Sequence, residues 1–140
     1  MQKSTQELLN ELKRSPSIQE YFSNNENELI DAGLKEYLDR LLDAKKLTKS
    51  DVIAKSGLNQ IYAYQIFAGK KAPSRDKVIA LGFGMSLLLD EMQRLLKIAG
   101  VSELYARVPR DSVILFALEK RLDVMACDEL LYELGEYTLS

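Results

Sequence analysis

Apolar residues recur at intervals of three and four along this chain and do not alternate at two over any convincing stretch, so the pattern predicts helices and no strands. The clearest segment carries Leu34, Tyr37, Leu38, Leu41 and Leu42 at helical spacing, with Glu36 and Arg40 set as an i,i+4 pair on its wet side. Upstream, Leu8, Leu9 and Leu12 mark one face of a helix from about Ser4 to Arg14, which Ser15-Pro16-Ser17 ends. A shorter helix with Ile18, Tyr21 and Phe22 follows, then the polar run Ser23-Asn24-Asn25-Glu26-Asn27. The expected fold is all-α, with residues 1–33 forming an N-terminal helical extension.

Past Leu47 the signals shift from periodicity to capping chemistry. Thr48 can cap a helix, Asp51 supplies the acid of a shortened capping box, and Gly57 stands where that helix stops and the chain turns. Asn59 caps a second helix that runs to Gly69. Lys70-Lys71-Ala72-Pro73-Ser74 then forms a loop whose proline forbids continuation and whose serine can cap the next helix. Within residues 60–68, Ala63, Ile66 and Phe67 share one face and anchor it to the core. That leaves Gln60, Ile61, Tyr64, Gln65 and Ala68 outward, a nearly uncharged surface. Gln60 and Gln65 can each pair bidentately with adenine in a major groove, Ile61 can touch a thymine methyl, and Tyr64 can reach a base edge or a phosphate. For Tyr62, packing and a phosphate contact through its hydroxyl both remain open.

Thr48-Lys49 opening one helix, Gly57 at the turn, Gln60 and Gln65 on the next helix, Gly69 at its end and Pro73-Ser74 before the following one form a set. On that set, residues 47–84 resemble the DNA-binding domain of lambda-repressor-like, XRE-family bacterial and phage regulators. The resemblance implies a five-helix helix-turn-helix domain over residues 34–104 and sequence-specific binding of double-stranded DNA by a transcriptional regulator, acting as a homodimer on paired half-sites. It places Gln60 and Gln65 at base-reading positions, joined by Ile61 and Tyr64. Thr48, Lys49, Tyr62, Lys70, Lys71 and Arg75 are the expected phosphate contacts. Two positions depart from the family pattern: Ile53 stands where a small residue is usual and Ala63 where a branched aliphatic is usual. In the family these positions face each other, so the exchange conserves volume.

Charge sharpens this picture. Residues 34–77 carry ten bases against five acids, whereas residues 1–33 carry three against six and residues 78–140 six against ten. A basic middle between acidic flanks suits a phosphate-contacting module whose other surfaces do other work. One alternative is an adaptor that keeps the helix-turn-helix as a scaffold and binds a protein through Ile61 and Tyr64 or through the acidic C-terminal hairpin. The lysines around residues 60–68, with Arg75, favour DNA over that reading.

The C-terminal half contains a repeat. Residues 75–104 align without a gap to residues 110–139 at an offset of 35, pairing Arg75 with Arg110, Asp76 with Asp111, Val78 with Val113, Ile79 with Ile114, Leu87 with Leu122, Leu95 with Leu130, Leu96 with Leu131, Gly100 with Gly135 and Leu104 with Leu139. Each copy reads as a helical hairpin closed by a glycine C-cap. The second copy, within residues 105–140, is expected to pack on the domain and bury Val113, Ile114, Phe116, Ala117, Leu118, Leu130, Leu131 and Leu134. It is also a candidate surface for a protein partner.

Other chemistry is sparse. One cysteine, Cys127, and no histidine leave a conventional zinc site without ligands, and Cys127 reads as a small buried hydrophobe. The polar start Met1-Gln2-Lys3-Ser4 is unlike a signal peptide, and the longest apolar run, Val113 to Leu118, is far shorter than the ~20 residues of a membrane span. A cytoplasmic protein in a reducing compartment is expected, without membrane contact, cofactor or metal. Gly82-Phe83-Gly84 lacks the strand and third glycine of a nucleotide loop and points to a close helix crossing. Gly69-Lys70-Lys71 lacks the rest of a phosphate loop. Asp90-Glu91 and Asp128-Glu129 fall near the start of each hairpin's second helix, where they favour its dipole. No nucleophile-base pair stands out, so no enzyme is expected.

Overall fold

The computed structural model describes residues 3–25 and 33–140. Met1, Gln2, Glu26 and Asn27, named above in the polar N-terminus and the polar run, lie outside them. The described residues form nine α-helices and no strand, and the chain divides into two compact units at residue 31.

The first unit holds α1 (Thr5–Arg14) and α2 (Ile18–Asn24). Ser4 and Ser17 cap them by accepting the backbone N–H groups of Glu7 and Glu20, each at 3.1 Å. Tyr21 is buried, but no α1 side chain is: Leu8 is half-buried, while Leu9, Leu12, Ile18 and Phe22 are exposed. The helix itself spans the residues its spacing predicts, while the face carrying Leu8, Leu9 and Leu12 stays largely open. The start of the polar run is helical, because Ser23 and Asn24 complete the last turn of α2 and Asn25 follows as its C-cap.

The second unit comprises α3 (Leu34–Lys45), α4 (Lys49–Ser56), α5 (Gln60–Phe67), α6 (Arg75–Gly84), α7 (Leu89–Ile98), α8 (Pro109–Glu119) and α9 (Val124–Glu133). Its centre is α6, in which every residue from Val78 to Gly84 is buried. A helix this apolar on all sides must be surrounded, and α4, α7 and α9 pack around it. Leu38, Leu41 and Leu42 of α3, Val52 and Ile53 of α4, and Ala63, Ile66 and Phe67 of α5 complete the same core.

The α4–α6 crossing depends on Gly84. A Cβ placed there would sit 2.5 Å from the backbone oxygen of Val52 and 3.1 Å from Ser56 Cβ, so only glycine permits this approach. This is the close crossing anticipated for Gly82-Phe83-Gly84. The Ile53 and Ala63 pair is buried on the adjoining helices α4 and α5.

The two hairpins, α6–α7 and α8–α9, repeat the same local geometry at their turns and C-caps. Ser86 and Arg121 hold equivalent left-handed turns (φ 54° and 58°), and Gly100 and Gly135 equivalent left-handed C-caps (φ 76° and 75°). Gln93 bonds both backbone groups of Leu104, and its counterpart Asp128 accepts from the backbone N–H of Leu139, the counterpart of Leu104.

Four sequence expectations are corrected. Ser74 occupies the N-cap of α6 without making a side-chain cap bond. The ion pair on the wet side of α3 joins Lys35 to Asp39 at 3.0 Å, rather than Glu36 to Arg40. Phe116 and Leu134 are exposed, because the second hairpin buries one side only, around Ile114, Ala117, Leu118 and Leu131. Asp128 and Glu129 lie past the first turn of α9, whose N-cap is Asp123, bonded at 2.8 Å to the Ala126 N–H. Glu91 does serve the start of its helix, accepting the Leu88 N–H at 2.9 Å. Among the described residues, no helix is long and apolar enough to cross a membrane.

Candidate nucleic-acid interface

The start of α4 is fixed by Thr48, whose Oγ1 accepts the Asp51 N–H at 3.1 Å. Gly57 ends it in a left-handed conformation (φ 72°), the turn that redirects the chain. Asn59 then opens α5 by accepting the Tyr62 N–H at 3.0 Å. Ala63, Ile66 and Phe67 point into the core as their spacing predicts.

This leaves Gln60 and Ala68 exposed, Ile61 73% exposed and Tyr64 39% exposed, with Gln65 half-buried at the edge of the same surface. Ile61 is the notable member, since an apolar side chain this open gains nothing from the core. Tyr62 is half-buried, and Lys77 Nζ lies 5.3 Å from its ring centroid. Packing thus engages the ring of Tyr62.

Cations border this face. Lys49 is the first residue of α4, and its Nζ lies 5.9 Å from the Phe67 ring centroid, tying the two helices of the face together. Gly69 turns left-handed (φ 77°), and the Lys70 N–H donates to the Gln65 carbonyl at 2.9 Å, which fixes where Lys70 and Lys71 leave the helix. Lys46, Lys49, Lys70 and Lys71 are exposed and take part in none of the ion pairs among the described residues. Lys45, by contrast, pairs with Glu91 at 3.1 Å. Burial pushes the Glu91 carboxyl up, yet the Leu88 N–H and Lys45 outweigh it and hold the group below its ordinary value.

Arg75 is removed from the set of expected phosphate contacts. Its guanidinium grips Asp111 through Nη1 at 3.0 Å and Nη2 at 2.8 Å, and donates to the carbonyls of Ser102 at 2.9 Å and Glu103 at 3.0 Å. Asp111 is only 4% exposed and also accepts the Tyr105 N–H at 3.0 Å. A cation whose donors are so committed is a structural clasp, because releasing it would strand a buried carboxylate. Sequence reading missed this partner, although the repeat held the signal: the dipeptide Arg-Asp occurs at the same place in both copies.

Two cations counted in the basic window are given no role of their own by the sequence. Lys77 caps the Tyr62 ring, and the stem of Lys35 runs beneath Gly69, where an added Cβ would meet its Cδ at 3.3 Å. Cys127 is fully buried, and burial together with Asp128 pushes its thiol up to about 12, as befits a packed hydrophobe. Among the described residues, no group of three or more histidine, cysteine or acidic side chains could hold a metal ion. No family model, curated protein or solved structure matches the chain.

Proposed function

We propose that this protein binds double-stranded DNA sequence-specifically and regulates transcription from the cytoplasm. In this reading α3 to α7 are the five helices of a lambda-repressor-like domain, and α4 and α5 are its helix-turn-helix. The observation that carries it is the surface of α5: Gln60, Ile61 and Tyr64 stand exposed and uncharged, while Lys49, Lys70 and Lys71 border them without acidic partners. Amides and an apolar side chain suit base edges, and solvent-facing ammonium groups suit phosphates, which is the division of labour in groove recognition.

Selection of binding sites from random duplexes with the purified chain tests the proposal, followed by titration of variants on the selected site. Gln60→Ala and Gln65→Ala are each expected to cost about 1–3 kcal/mol and to relax preference at one base pair. Lys70→Ala is expected to weaken all duplexes alike and to flatten the salt slope by about one, whereas Arg75→Ala should leave that slope unchanged. A change of preferred sequence in Lys70→Ala but not in Gln65→Ala would sink the assignment.

One observation favours a second reading. Met125 and Tyr132 on α9 are 70% and 78% exposed beside Glu129 and Glu133, a surface suited to a protein partner. If no duplex is selected and binding to DNA shows no salt dependence, the chain is better read as an adaptor that retains the helix-turn-helix as a scaffold.

A further inference from the structure

The two hairpins meet through reciprocal contacts. Arg75 of the first grips Asp111 of the second, and Arg110 of the second grips Asp76 of the first, through Nη1 at 2.9 Å and Nη2 at 3.0 Å. Because Arg110 and Asp111 are the repeat counterparts of Arg75 and Asp76, each contact is the other with its partners exchanged. The backbone bonds repeat the relation: Arg75 donates to the carbonyls of Ser102 and Glu103, and Arg110 to those of their counterparts Tyr137 and Thr138. The helices obey it too, since α6 packs on α9 and α7 on α8. When residue i of one body meets j of another and j meets i, the interface is isologous, the form taken by twofold dimers.

The chain therefore contains a hairpin dimer closed on itself, and the surface of the first hairpin fits a hairpin of its own kind. We propose that this surface also accepts the second hairpin of another copy of the chain, so that two molecules pair by reciprocal exchange of residues 109–139. The connection permits it. Residues 105–108, between the buried Leu104 and α8, have all four side chains exposed, so rerouting them uncovers no core. The cis arrangement is favoured at low concentration because its partner is tethered, and exchange gains as concentration rises or as the hairpins open. Such a dimer would carry two copies of α5, which matters for reading paired half-sites; that consequence rests on the proposed function, but the exchange itself does not.

Two full-length variants test the exchange without DNA. The first combines Arg75→Asp with Asp76→Arg, and the second Arg110→Asp with Asp111→Arg. Alone, each sets like charges against each other at both clasps, in cis and in a dimer with itself. Mixed, they can restore all four ion pairs only by exchanging hairpins. The expected result is a lower melting temperature for each variant alone, with recovery of that loss and a mass of two chains by sedimentation when they are unfolded and refolded together. A chain bearing all four substitutions should behave like the unsubstituted chain, monomeric at the low concentration at which the mixture is dimeric, and melt above either variant, because its reversed pairs match in cis. The proposal is overturned if the variants melt like the unsubstituted chain, or if the four-substitution chain regains stability while the mixture stays monomeric. Should the four-substitution chain fail to fold, the unsubstituted chain refolded at high concentration decides: exchange predicts a two-chain species that persists on dilution, and a strictly monomeric product refutes it.

Discussion

Two glycines of α6, two residues apart, should answer substitution differently, because Gly84 faces the backbone of α4 and Gly82 faces the Met92 side chain of α7. At Gly84 a Cβ would lie 2.5 Å from the Val52 carbonyl oxygen, where ordinary contact begins at 3.4 Å, so α4 must retreat by about 0.9 Å. That oxygen belongs to helix backbone and moves only with the helix. At Gly82 the added atom would instead meet Sδ and Cε of Met92, the flexible end of a side chain that can turn aside. Both alanines gain about 1 kcal/mol of helix propensity. For Gly84→Ala, overpacking of about 1–3 kcal/mol meets or exceeds that gain, giving a net loss of up to about 2 kcal/mol. At roughly 4 °C per kcal/mol for a unit of this size, its melting temperature should fall by up to about 8 °C. Gly82→Ala should stay within about 1 kcal/mol of the parent chain. Urea titration of both variants provides the comparison. The reasoning fails if Gly84→Ala proves as stable as Gly82→Ala.

Two further outcomes follow from the packing and the charges. Ile53→Ala should destabilise by about 2–5 kcal/mol through a cavity and Ala63→Ile by about 1–3 kcal/mol through overpacking, whereas the double variant should recover much of both losses; additive denaturation free energies would show that these side chains do not touch. Glu91 titrates below its ordinary 4.5 in the folded chain. A carboxyl with a depressed folded-state pKa stabilises fully above the unfolded value and loses that contribution as pH falls through the folded one. Glu91→Gln should therefore flatten the decline of stability below pH 4.5, and an unchanged acid limb would show that the cap and the Lys45 pair contribute nothing.

Local chemistry was legible in the sequence where one residue decides it. Thr48 and Asn59 cap their helices through their own side chains, and Gly57 turns the chain because few other residues adopt its backbone angles. The inward set Ala63, Ile66 and Phe67 followed from helical spacing alone. What escaped was partnership across sequence distance. Arg75 looked like one more cation beside a basic loop until the fold brought Asp111 to it from 36 residues away. Phe116 and Leu134 looked buried because their pattern matches the first hairpin, yet burial also requires something on the other side. In the first hairpin α4 packs on α6, and α8 has no such neighbour among the helices that pack closely.

The duplication has a direction. Where the first hairpin has Gly84, the second has Glu119, and where the first has Leu81, the second has the exposed Phe116. A glutamate cannot offer the flush backbone surface on which α4 rests, so the second hairpin is barred from carrying a set of helices like α3 to α5. Each chain is thus limited to one α5 face however its hairpins are partnered. If that face reads DNA, the number of half-sites an assembly can occupy equals the number of chains in it, and stoichiometry becomes a direct count of reading heads.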